Sequence, residues 1–152
     1  MKRFSLWRRD EDAQSLVEFA LVLPVFLLVI FGIIDLARAV WEENELAFAS
    51  REGTRYAIVH GASSSTPSGP GSAGYSAGPP VSDSNVTTAV LNFTIGIPGV
   101  TVTPNWIDGN NNRNSRVSVD VAAAFVPLPS QYLLGGALSI TLQGGSMLVI
   151  QY

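Results

Sequence analysis

Apolar residues follow three different rhythms along this chain. From residue 15 to residue 34 the sequence reads SLVEFALVLPVFLLVIFGII, 20 residues with a single charge, Glu18. At about 1.5 Å per helical residue this run covers roughly 30 Å, the thickness of a bilayer hydrocarbon core. A chain of 152 residues has little else with which to cover a helix that is apolar on every side. The pattern predicts a membrane-spanning helix. The helix then continues to about Val59, broken by no Pro and interrupted only by Gly53. Over this stretch Val40, Trp41, Asn44, Ala47, Phe48 and Arg51 recur at helical spacing and predict an apolar stripe with polar interruptions. Arg38, Glu42, Glu45 and Glu52 fall on another face, with Asp35–Arg38 and Glu52–Arg55 spaced for i,i+3 pairing. These charges predict a solvated face, or pairs made between subunits.

The rhythm then stops. Residues 61–80, GASSSTPSGPGSAGYSAGPP, have the composition of a flexible loop with little capacity to bury a core. Tyr75 is its only large side chain. Ser82, Asp83, Ser84 and Asn85 are N-cap residues, and they predict a short helix over 86–95 with Val86, Val90 and Phe93 inward.

A two-residue period takes over at residues 100–103, and Pro104 ends that strand or sets it at a sheet edge. Asp108, Gly109 and the three Asn that follow make a turn. Residues 116–125, RVSVDVAAAF, place Val117, Val119 and Val121 on one face and Ser118 and Asp120 on the other. The run from Leu138 to Leu142 alternates again and is expected to continue past Gly144 and Gly145, leaving the terminal MLVIQY as core or as an edge. Three or four antiparallel strands packed on the outer half of the long helix give an α+β fold, a long helix on a small antiparallel sheet. The expected layout is a leader at 1–13, a transmembrane helix at 14–35 and its extracytoplasmic continuation at 36–59. A flexible loop at 60–81 and a small head of helix plus sheet at 82–152 complete it.

Composition narrows the function more than the fold. There is no Cys and one His, His60, which excludes thiolate metal sites, cysteine nucleophiles and multi-His clusters. A net charge of −3 argues against nucleic acid as a partner. His60 beside a loop and the scattered Asp83, Asp108 and Asp120 form no catalytic pattern, and no Gly-rich phosphate loop follows a strand. Asp108 with Asn110, Asn111 and Asn112 offers oxygen ligands but lacks the terminal Glu of a calcium loop. The reading is of a non-enzyme with no cofactor and no metal. Four of the nine basic residues, Lys2, Arg3, Arg8 and Arg9, precede the apolar run, which predicts an N-terminus in the cytoplasm and a C-terminus outside. Ala37-Arg38-Ala39 offers a signal-peptidase-like site, but the apolar run exceeds the 7–15 residues usual for a secretory signal.

Glu18 is the residue that demands an explanation, because a carboxylate near a bilayer centre costs about 2.5–3.5 kcal/mol. It either sits shallow and snorkels to the headgroups or meets a partner in an assembly. Its surroundings are a basic leader, Ala13, four residues, then Glu18-Phe19 at the head of the helix. The segment AQSLVEFALVLPVFLLVIFGIIDLARAV, followed by AFASREGTRYAIV, resembles the TadE-like pseudopilin family of the tight-adherence (Tad) pilus machinery. The resemblance covers about residues 13–60 and is looser toward the C-terminus.

It implies cleavage by a prepilin peptidase between Ala13 and Gln14, with Ala13 standing where the pattern usually has Gly. Gln14 then becomes the first mature residue, Glu18 the fifth, and Phe19 the aromatic after it. It further implies a minor pilin or pseudopilin, sited in the cytoplasmic (inner) membrane and assembled into or priming a filament used in adherence or secretion. The partners so implied are the bilayer, other pilin or pseudopilin subunits, the prepilin peptidase and the Tad inner-membrane assembly platform. Pro24 removes one helical N–H and predicts a kink in the span. The other class of reading is a permanently anchored single-pass protein whose β-rich head binds a ligand or surface.

Overall fold

The structure, a computed structural model, describes residues 4–133 and 135–151, with the side chains of residues 13–132 and 135–151. One helix, α1 (Phe4–Val59), runs for 56 residues with Pro24 inside it. At 1.5 Å per residue it is roughly 85 Å long. The chain then forms β1 (Tyr75–Ser76), β2 (Ser82–Asp83), α2 (Ser84–Leu91), β3 (Thr101–Trp106), β4 (Arg116–Phe125), α3 (Leu128–Leu133) and β5 (Ile140–Val149). The sheet is antiparallel in the order β3-β4-β5, and β1 and β2 form a separate two-residue ladder. The α+β class expected from the sequence is the one observed.

β4 is the central strand and its alternation is clean. Val117, Val119, Val121, Ala123 and Phe125 are buried while Arg116, Asp120 and Ala124 are exposed. The three valines and Ala123 of this set join Leu46, Ala49 and Ala57 of α1, Val86 and Val90 of α2, and Trp106 in one core. β3 continues through Pro104 to Trp106, with Pro104 buried opposite Val119. An edge strand tolerates the missing N–H. β5 is a single strand through both glycines, and one of them is required. A Cβ on Gly144 would lie 2.4 Å from the backbone nitrogen of Ala47, so β5 rests its main chain directly on α1. The Thr54 hydroxyl, 2.7 Å from the Ser50 carbonyl, also lies 3.3 Å from that of Ser146 on β5. The Gln151 N–H donates to the Ile58 carbonyl at 3.0 Å and closes the far end.

Three expectations need correction. The side of α1 that packs on the head is not the Val40–Trp41–Phe48 stripe. It is the face carrying Glu42, Leu46, Ala49, Ser50, Gly53, Thr54 and Ala57, all buried. Most of these side chains are small because a sheet laid on a helix needs close backbone approach. At Gly53 a Cβ would meet Val90 of α2 at 2.4 Å.

The second correction concerns residues 61–80, which are stitched to the head rather than hanging from it. Ser68 is fully buried, its N–H donating to the His60 carbonyl at 2.7 Å and its carbonyl accepting from Asn111 Nδ2 at 2.8 Å. Gly69 lies under the Trp106 ring, and Tyr75 meets that ring edge to face at 5.3 Å. Asp83 anchors the far side. Its Oδ1 accepts from the N–H groups of Asn85 and Val86 and so caps α2, while Oδ2 accepts from Gly69 N–H at 2.7 Å. The third correction is that α2 ends at Leu91, so Phe93 stays half exposed and meets Phe48 edge to face at 5.5 Å.

Candidate assembly and membrane interface

Among the described residues, the first part of α1 meets the rest of the fold only beside α3, where Pro24, Leu27, Leu28 and Phe31 face Leu128, Pro129 and Tyr132. The stretch from Ala13 to Val59 contains a window long and apolar enough to cross a membrane, and none of that window is buried. Leu16, Val17, Phe19, Leu21, Val22, Val25, Phe26 and Leu28 are all exposed, Leu21 by 71%. Helix formation here needs no tertiary support in lipid, where satisfying backbone groups within the segment is itself decisive.

At its start, Gln14 and Glu18 sit one helical turn apart. Gln14 Nε2 donates to Glu18 Oε1 at 3.1 Å, and Glu18 is otherwise on the exposed surface of the helix. Phe19 projects from the same exposed segment. The bond between Ala13 and Gln14 lies inside continuous helix, since α1 begins at Phe4.

At the other end of this segment the charges are not solvated as expected. Asp35 and Glu42 are each only 7% exposed. Asp35 Oδ1 accepts from Arg38 at 3.1 Å, and Arg38 reaches Glu42 at 3.8 Å while its guanidinium lies 5.2 Å from the Phe125 ring centroid. Asp35 Oδ2 accepts from the Leu128 N–H at 2.9 Å. One carboxylate thus ties the helix to the start of α3, 93 residues later in the chain. Sequence reading paired Asp35 with Arg38 but had no signal for Leu128. Glu52–Arg55 is the exposed i,i+3 pair that the spacing predicts, at 3.3 Å.

A second set of apolar groups remains uncovered on the head half of α1. Leu36, Val40, Trp41 and Phe48 are exposed, and Phe93 and Ile95 extend the patch from beside α2. It is continuous with the apolar span. β5 is a sheet edge, with Met147 and Val149 exposed on it.

The residues weighed for chemistry have structural employment. His60 stacks on Tyr56 at 3.9 Å with Nδ1 2.8 Å from the Tyr56 carbonyl. Asp108 is engaged by Arg116, with contacts of 2.7 Å and 3.3 Å from the guanidinium and 2.8 Å from the backbone N–H. The hydrogen bond from the Arg116 side chain, first, then that from its backbone, hold the Asp108 carboxyl below its ordinary range. Asn110 Oδ1 accepts from Asn112 N–H and the Ser115 hydroxyl. Among the described residues no three His, Cys, Asp or Glu gather as a metal site.

Comparison with known proteins agrees with the N-terminal reading. No curated protein and no solved structure matches the chain. The family model described as TadE-like protein matches residues 13–55. That match contains Ala13, Gln14, Glu18, Phe19, Pro24 and the Asp35–Arg38–Glu42 cluster, and it runs on through Leu46, Ala49, Ser50, Gly53 and Thr54 of the face that packs on the head. This chain therefore carries a TadE-like N-terminal helix, joined to an α+β head that lies outside the match.

Proposed function

We propose that this protein is a minor pilin or pseudopilin of a Tad-type filament, processed between Ala13 and Gln14 by a prepilin peptidase. It is held in the cytoplasmic membrane with its N-terminus inside and its head outside until assembly, and it serves adherence or secretion. Its role is structural, not catalytic. The observation that carries this reading is the uncovered apolar surface that extends, with a polar interruption at Asn44, from the membrane-type segment through Leu36, Val40, Trp41 and Phe48 to the head. A single anchor needs the first part of that surface and has no use for the second. A subunit packed helix to helix needs both.

Within this reading Glu18 receives a defined task. Cleavage leaves an α-amine on Gln14 that is cationic below a pKa of about 7.7–8.0. Such an amine 4 Å from a carboxylate gains about 4 kcal/mol before desolvation at an effective dielectric of 20, and a lone charge left in lipid is costly. Pairing of Glu18 with a Gln14 amine, its own or a neighbour's, sets register or recruitment, and Phe19 packs beside it. A kink at Pro24 eases departure from the bilayer. The assembly platform and companion pilins are the partners this mechanism requires.

The test is the N-terminal sequence and intact mass of membrane-extracted protein, from cells with and without the peptidase. A mature start at Gln14 that vanishes without the peptidase is the expected result. An intact Met1 in both strains overturns it in favour of a permanently anchored binding module, and a start at Val40 makes the apolar run a removed secretory signal.

A further inference from the structure

The connection between β4 and β5, residues 126–139, reads VPLPSQYLLGGALS and has no charged side chain. Its place in the fold is unusual for a loop of a water-facing head. α3 lies against α1 on the N-terminal side of Asp35, where Leu128, Pro129 and Tyr132 form a groove of about 520 Å³ with Pro24, Leu27, Leu28 and Phe31. Those four helix residues lie roughly 6–16 Å along the axis from Asp35, at 1.5 Å per residue. The ion-paired cluster of Asp35, Arg38 and Glu42 therefore sits above α3, and α3 sits beside the apolar span.

Exposure and backbone satisfaction both bear on what surrounds it. Tyr132 is 78% exposed and Leu138 60% exposed within the fold. Several polar groups around them are answered internally. Asp35 accepts from Leu128 N–H at 2.9 Å, and Gln131 N–H donates to the Pro127 carbonyl at 2.9 Å. The buried Ser130 hydroxyl accepts from Leu138 N–H at 2.9 Å and lies 3.0 Å from the Leu138 carbonyl as its donor. Gly136 N–H closes on the Ser130 carbonyl at 2.8 Å. Polar groups at membrane depth need partners within the protein, and these bonds supply them at Leu128, Ser130, Gln131, Gly136 and Leu138. A tyrosine at the end of an apolar helix suits the level where hydrocarbon meets headgroups.

The geometry points to α3 as a second membrane element: a wedge in the leaflet nearest the head, whose groove against Pro24, Leu27, Leu28 and Phe31 holds a lipid acyl chain. The occupant is lipid because the groove's floor is the membrane-type segment itself, so the groove is continuous with the surface that the bilayer already covers. The wedge rests on the reading of residues 13–34 as membrane-spanning. It adds that the head is seated in the leaflet rather than held clear of it.

The native sequence has no cysteine, so single-cysteine variants of the full chain report one position each. Leu21→Cys, Tyr132→Cys and Thr88→Cys, all at exposed positions, are spin-labelled in phosphatidylcholine nanodiscs. Collision rates with oxygen, which partitions into lipid, and with a water-soluble nickel chelate then give depth. Positions 21 and 132 are expected to favour oxygen, and position 88 the nickel chelate. If 132 behaves like 88 while 21 stays lipid-like, the wedge is wrong and the span stands. If 21 also favours nickel, the spanning reading fails and the wedge falls with it. A position 132 shielded from both probes marks a protein contact with a second copy and overturns the lipid assignment.

Discussion

The two halves of α1 are one continuous helix built to opposite specifications. Residues 13–34 are mostly large, apolar and exposed, with Ile30 half-buried, whereas residues 42–57 bury a narrow face of mainly small and polar side chains under a sheet. In the first half most side chains serve a surrounding solvent, and only Pro24, Leu27, Leu28 and Phe31 face another element, α3. In the second half Ala49, Ser50, Gly53, Thr54 and Ala57 are chosen for closeness, because β5 and α2 come to van der Waals contact with the helix backbone. Hydrophobicity identifies the first kind of interface and misidentifies the second.

Paired substitutions break or sharpen this contrast. Leu46 is fully buried, so Leu46→Ala is expected to destabilise the full-length protein in detergent micelles by about 3–4 kcal/mol. The same truncation at Leu21 should leave thermal unfolding, followed by tryptophan fluorescence, unchanged. Equal losses at both sites would show that the span also has specific protein partners in the monomer. Gly144→Ala is the next largest change. Its methyl group meets the α1 backbone at Ala47, and an expected cost of about 2–3 kcal/mol follows from overpacking that cannot relax.

Asp83→Ala removes the α2 cap and leaves the Gly69 N–H unanswered, for about 2 kcal/mol. Its distinguishing sign is faster proteolysis within residues 61–80, which that bond helps hold against Trp106. Phe48→Ala, on the half-exposed stripe, loses its ring contact with Phe93 and is expected to cost about 1 kcal/mol of subunit stability and yet to reduce incorporation into filaments well beyond that, measured by surface-fibre yield. The smallest effect is in acid. Asp108 is held below its ordinary pKa, so its pairing with Arg116 contributes stability above the unfolded aspartate range, and this is lost as pH falls through the lower folded value. Asp108→Asn should therefore differ from the native chain at neutral pH and converge with it in acid. High salt should shrink the difference, because both groups are exposed.

Local rules made some of this legible and hid the rest. The alternation of residues 116–125 sufficed for β4, since one buried face and one wet face leave a two-residue period. The long apolar helix was likewise readable from composition, as a run of 20 residues with a single charge. The docking face of α1 was read from its largest apolar residues, and the structure shows those on the uncovered side. Residues 61–80 looked like a linker because their composition is poor in core-forming side chains. Their anchors are Asn111, Trp106 and Asp83, supplied from elsewhere in the chain. The same holds for Asp35, whose partner at Leu128 no helical periodicity can indicate.

Between Pro24 and the head α1 is a single helix with no further proline, and this has a mechanical consequence. The head is clamped to residues 42–57 at Gly53 and by the β5 contact at Ala47, and the same helix carries the TadE-like segment. Axial motion and rotation of the membrane end are transmitted to the sheet as by a screw shaft. A slip of one residue past a neighbouring helix advances the head by about 1.5 Å and turns it by about 100°. The register chosen at the inner end of the shaft thereby fixes both the height and the compass bearing of the sheet at the other.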